Sequence, residues 1–93
     1  MYARVVRFTD VSPERIAEIG KRAEEEGPPP GVAAKSLRIV LDESQSTAVV
    51  IMFFDSEDDL RAADEAMNAM DPGDTPGSRA SVDTGEVKVE RDL

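Results

Sequence analysis

Cysteine, histidine and tryptophan are all missing from this 93-residue chain, and each absence removes a class of chemistry. Without cysteine there is no disulfide, no thiolate nucleophile and no zinc–thiolate site. Without histidine the commonest general base and the commonest metal ligand are gone. Basic residues are scarce as well: Lys and Arg number 11 against 20 Asp and Glu, a net charge of −9. Phosphate binding is driven by Lys and Arg releasing counterions, so this balance argues against nucleic acid, and it equally disfavours docking on an anionic membrane. No apolar run approaches the roughly 20 residues of a membrane span, and residues 2–8 are too short and too charged for a signal peptide. The chain is expected to be a single soluble domain, 1–93, in the cytoplasm.

What remains is a globular composition, 40% hydrophobic and 33% charged. With aromatics at 4%, the core must be built from Val, Ile, Leu, Ala and Met. A domain this small hides only about two thirds of the surface its unfolded chain exposes. A partner subunit is the usual remedy where disulfides and metals are ruled out.

Residues 2–8 (Tyr-Ala-Arg-Val-Val-Arg-Phe) are β-branched and aromatic without Gly or Pro, and predict a first strand. Ser12 as N-cap, Pro13 at the first helical position and Glu14 near the positive dipole end predict a helix start. Ile16, Ile19, Gly20 and Ala23 recur at helical spacing, and the Gly-Pro-Pro-Pro-Gly run at 27–31 ends that helix. Residues 36–42 predict a second strand with Leu37, Ile39 and Leu41 on one face, 43–46 a hairpin turn, and 47–54 a third strand that is apolar on both parities. Ser56 with Asp59 three residues on resembles a capping box, and Leu60, Ala63, Met67 and Met70 form the stripe of a second helix. Residues 71–77 make a loop. Residues 81–90 predict a fourth strand, in which Val82 lies on one parity and Val87 and Val89 on the other. Gly85 between them is either a face-switching bulge or a weak spot.

The order β-α-β-β-α-β is that of a ferredoxin-like split βαβ fold: α+β, a four-stranded antiparallel sheet with two helices on one face. Right-handed crossovers place the first and third strands side by side in the middle, and these two are expected to run parallel. Strands two and four, with Arg38, Asp42, Asp83 and Lys88, are polar enough to be edges. The even-numbered hairpin sets Leu41 opposite Ala48, Ile39 opposite Val50 and Leu37 opposite Met52. This face is assigned to the helices. The reverse face carries Val49, Ile51, Phe53 and Val40, each large side chain forgoing about 1.5–3 kcal/mol if left wet. An apolar patch of that kind marks an interaction surface. A twofold copy pressing the same face against it is the expected cover, which makes Val49, Ile51 and Phe53 the candidate homodimer interface.

The segment 53–60 (Phe-Phe-Asp-Ser-Glu-Asp-Asp-Leu), together with 4–8 (Arg-Val-Val-Arg-Phe) and 12–15 (Ser-Pro-Glu-Arg), resembles the dimeric α+β barrel superfamily, within it the antibiotic-biosynthesis-monooxygenase-like domains. The likeness covers essentially the whole chain as an order of elements. It implies two sheets facing each other to close a barrel, with a pocket in each protomer between sheet and helices. Haem-degrading members carry an Asn on strand one, a Trp at the end of strand three and a His on or after helix two. Here the sole Asn is Asn68 in helix two, the strand-three aromatic is Phe54, and no His exists. Haem ligation through imidazole is excluded and no cofactor is expected. The resemblance leaves room for cofactor-independent oxygenase chemistry, in which the substrate carbanion activates oxygen and the protein supplies polar groups.

Arg4 and Arg7 stand on opposite faces of the first strand, so one should point to the pocket side and the other to the dimer side. A guanidinium fork could hold an anionic or phenolate oxygen; equally, each could pair with an Asp or Glu. Met52 and Phe54, beside Met67 and Met70, suit a pocket for a small apolar or aromatic ligand and suit an ordinary core as well. Arg4, Arg7, Met52, Phe54 and Met67 are thus the candidate pocket residues. The carboxylates at 24–26 are expected to face solvent, and those at 55–59 to belong to a helix N-terminus. EF-hand spacing is absent, so no metal is expected. Serine lacks a His partner, and no phosphate-binding glycine loop occurs. Two functions follow as expectations: a homodimer binding a small apolar or aromatic molecule, with oxygenase activity in view, or a non-catalytic regulatory or assembly module on the same fold. RNA binding fails on charge and on missing stacking aromatics.

Overall fold

A computed structural model describes residues 1–26, 32–69 and 77–92. Its elements are β1 (Tyr2–Thr9), α1 (Pro13–Glu26), β2 (Ser36–Asp42), β3 (Thr47–Phe54), α2 (Glu57–Asn68) and β4 (Ser78–Glu86). The predicted stop at 27–31, the stripe residue Met70 and the loop at 71–76 lie outside the described residues, as do the side chains of Ile19 and Ala23.

Both helices begin where a serine can take over an orphan amide. The Ser12 hydroxyl accepts from the Arg15 amide at 3.2 Å, and the Ser56 hydroxyl from the Asp59 amide at 3.1 Å. The sheet order is β2-β3-β1-β4, compatible with a ferredoxin-like split βαβ fold. All its pairings are antiparallel, including β1 with β3, from Tyr2 opposite Phe54 to Phe8 opposite Ala48. The expected parallel pairing of the central strands is therefore corrected. The crossover through α1 returns the chain to its starting end, so β2 runs the way β1 runs, and the tight hairpin then reverses β3.

The β2–β3 register matches expectation, with Leu37 opposite Met52, Ile39 opposite Val50 and Leu41 opposite Ala48. β4 does not match. It starts three residues earlier than predicted and stops at Glu86. The reason is the extent of its partner: Glu86 pairs with Tyr2, the first residue of β1, and past that pair a single bond continues, from the Val87 amide to the Met1 carbonyl at 2.8 Å. Val89 is left 85% exposed. The irregularity lies between Arg7 and Phe8, opposite Ser81 and Arg79, which makes Ala80 rather than Gly85 the inserted residue.

Two clusters form the core on the helix side. Under α2, Val32, Met52, Phe54, Leu60 and Ala63 are buried, with Met67, Tyr2 and Ala66 packed against them. Toward α1, Val6, Phe8, Val11 and Ala48 are buried, with Ile16, Leu41 and Val82 alongside. One end of the sheet is tied by the Val11 amide, which donates to the Ser46 carbonyl at 2.9 Å. Asp10 and Ser46 flank that bond with φ of 56° and 54°, a left-handed conformation that short polar side chains tolerate better than most. Gly77 presses against the same corner. A Cβ there would collide with the Thr9 carbonyl oxygen and crowd Val11.

Candidate functional site

Strand alternation sends Arg4 to the helix side and Arg7 to the other. Arg4 is 2% exposed, whereas Arg7 is open to solvent. Its nearest charge is on α2: the Arg4 Nε donates to Asp64 Oδ1 at 3.0 Å. The Asp64 side chain keeps 37% of its surface, so a wholly desolvated cation is held by an acid that still touches water. Asp64 Oδ2 accepts from Asn68 Nδ2 at 3.4 Å, and Asn68 Oδ1 accepts from Arg79 Nη1 at 2.7 Å. A polar thread thus runs from β1 through α2 to β4. Arg4 Nη2 is buried and has no hydrogen-bond acceptor among the described residues.

Beside this thread an open-sided groove of about 450 Å³ lies between α2 and the β1–β4 strands, lined by Tyr2, Glu57, Leu60, Arg61, Asp64, Thr84, Gly85 and Glu86. Its walls are mostly polar and its charges are matched. Glu57 pairs with Arg61, Asp64 with Arg4, and Glu86 accepts from Lys88 Nζ at 2.7 Å. The Lys88 hydrogen bond, with its charge and a hydrogen bond from Tyr2, holds the Glu86 carboxyl below its ordinary value. Desolvation, and then the negative charge of Glu86, pushes the Tyr2 hydroxyl up. Tyr2 accordingly stays a protonated phenol at neutral pH and can donate a hydrogen bond. It is not a base there.

The candidate pocket residues therefore divide. Arg4, Met52, Phe54 and Met67 share the helix side and Arg7 does not. Met52 is 5% exposed and Phe54 0%; both are enclosed by Leu60, Ala63 and Val32 rather than lining the groove. On the far side of the sheet Val49, Ile51 and Phe53 are half-buried, and Val40 is 56% exposed. Asp64, the partner of Arg4, was not singled out from the sequence. Its signal was its place: four residues after Leu60 and three before Met67, it is an acid set within the stripe of α2 that faces the sheet.

Among the described residues no cluster of three or more His, Cys, Asp or Glu could hold a metal ion. No described helix is long and apolar enough to cross a membrane. No protein-family model matches the chain, and no curated protein matches it either.

Proposed function

We propose that this chain works as a homodimer, two copies pressed together by the sheet face opposite the helices, and that it serves as a non-catalytic assembly or regulatory module. The observation that carries the reading is the apolar band of Val40, Val49, Ile51 and Phe53 on that face, with Val40 56% exposed. Leaving large aliphatic and aromatic side chains wet forgoes about 1.5–3 kcal/mol each, and a twofold copy covers them with the same patch. The resemblance to dimeric α+β barrels points the same way. The non-catalytic half rests on the helix side, where Met52 and Phe54 are packed core and the groove carboxylates are already engaged. Light scattering over a micromolar concentration series tests it. A dimer is expected, and a monomer throughout overturns the reading.

A second reading is favoured by one atom. The buried Arg4 Nη2 lacks an acceptor among the described residues, and a phenolate or quinone oxygen is a suitable one. That supports a small aromatic ligand held on the helix side, with cofactor-independent oxygenase chemistry as its extension. A thermal-shift screen with phenols and quinones tests it: a rise in melting temperature that Arg4→Met abolishes supports the ligand, and a flat response removes it.

A further inference from the structure

Residues paired across strands stand side by side on one face, so the register places whole rows on the open face. One row reads Arg38 on β2, Ile51 on β3, Val5 on β1 and Asp83 on β4. It is apolar in the middle, with a cation at one edge of the sheet and an anion at the other. Three strand spacings separate the two charges, about 14 Å, too far for them to meet within one chain. Both are exposed, and neither has an ion-pair partner among the described residues. The other acid on this face, Asp42, is already engaged: it accepts from the Ser44 hydroxyl at 2.6 Å and from Gln45 Nε2 at 2.8 Å.

We infer that the twofold axis of the homodimer runs along the strands, between β3 and β1, so that Arg38 of each copy pairs with the partner's Asp83. This rests on the dimer reading above and fixes its geometry. An axis relating two pressed faces lies in the plane between them. Laid across the strands through this row, it would stack β2 on β2 and set Arg38 against the partner's Arg38, a like-charge contact that opposes association. Laid along the strands, it stacks β2 on the partner's β4 and converts these two edge charges into two symmetry-related ion pairs, while Arg7, the third exposed charge of this face, comes opposite the partner's Val49 and one row from the partner's Asp42. The apolar middle then fits as well. Ile51 faces the partner's Val5, and Phe53, paired in its own sheet with Ala3, faces the partner's Ala3, large against small. Aligned sheets pack about 10 Å apart, a gap that a long guanidinium stem and a short carboxylate fill together. Four strands of seven to nine residues present roughly 500 Å² of projected face before side-chain relief, of the order of the roughly 800 Å² per partner that stable pairs bury.

The experiment is a charge-reversal cycle read by sedimentation equilibrium, with far-UV circular dichroism to verify folding of the exposed-site variants. R38E and D83R are each expected to raise the dimer dissociation constant about tenfold or more, because each reversal creates two like-charge contacts. R38E/D83R together should return it close to that of the unaltered chain. If the unaltered chain dimerises but the single reversals leave the constant unchanged, or the double variant is no better than the worse single one, the axis is wrong and the dimer stands. If the unaltered chain is a monomer at every concentration, the dimer reading itself falls.

Discussion

The two faces of this sheet are built from the same strands and meet opposite fates. On the helix side, Phe54 and Ala63 are 0% exposed and even an arginine, Arg4, is 98% withdrawn from water. On the other, residues of equal hydrophobicity one position away in sequence stay half-covered, and the charges at either edge have no counter-ion among the described residues. Because side chains alternate, a central strand that is apolar on both parities cannot satisfy both faces with two helices on one side. The difference teaches that β3 was given more grease than a lone copy of the fold can bury.

The adjacent phenylalanines test this contrast most directly. Phe54→Ala should lower folding stability by about 3–5 kcal/mol at any protein concentration, since it empties a filled core site. Phe53→Ala should cost about 1 kcal/mol in the lone fold and show most of its effect as a raised dimer dissociation constant. Urea unfolding at low and high protein concentration separates the two, and equal, concentration-independent losses would break the comparison.

The buried arginine sharpens it next. Asp64→Ala should destabilise by about 2–4 kcal/mol, because it leaves a desolvated guanidinium unopposed, and the remaining exposure of Asp64 keeps the loss below that of a fully buried pair. Arg4→Met, similar in volume and uncharged, should fall within about 1 kcal/mol of the unaltered chain. Thermal unfolding of both variants checks this. If Arg4→Met proves the worse of the two, the guanidinium does more than fill and neutralise.

The smallest effect is electrostatic and confined to the solvated rim. Asp42 is held below its ordinary value chiefly by the Ser44 hydroxyl, with further help from Gln45, and Glu86 chiefly by Lys88. A carboxyl that is more acidic when folded adds stability above its unfolded pKa, and that stability is lost as the pH falls through the lowered value. Urea midpoints should therefore decline as the pH falls through and below the ordinary carboxylate range, and Asp42→Asn should flatten the decline while leaving the midpoint at neutral pH little changed. An unchanged slope in that variant would show that its turn bonds do not matter to the fold.

Much of the architecture was legible because local chemistry and hydrophobic parity agreed. Ser12 and Ser56 announced their helices, and the even-numbered turn fixed the hairpin register without reference to the rest. The strand that misled was β4, whose Val87 and Val89 look like sheet residues. Its end is set by where β1 begins, and a single strand's sequence does not contain that. The direction of β3 relative to β1 is likewise a property of the whole path. At the site, parity put the two strand-one arginines on opposite faces but could not say which face the helices take. Asp64 stayed hidden because an acid in a charged helix looks like solvated surface until a buried cation is seen beneath it.

Gly77 carries one further consequence. The opening turn of β4 touches the corner where β1 leaves the sheet so closely that a single methyl group is too much, whereas a Cβ on Gly20 would meet nothing within 4 Å. Evolution should feel that asymmetry: lineages descended from this chain have room for an alanine at position 20, but those that keep this corner closed will hold on to a bare backbone at position 77.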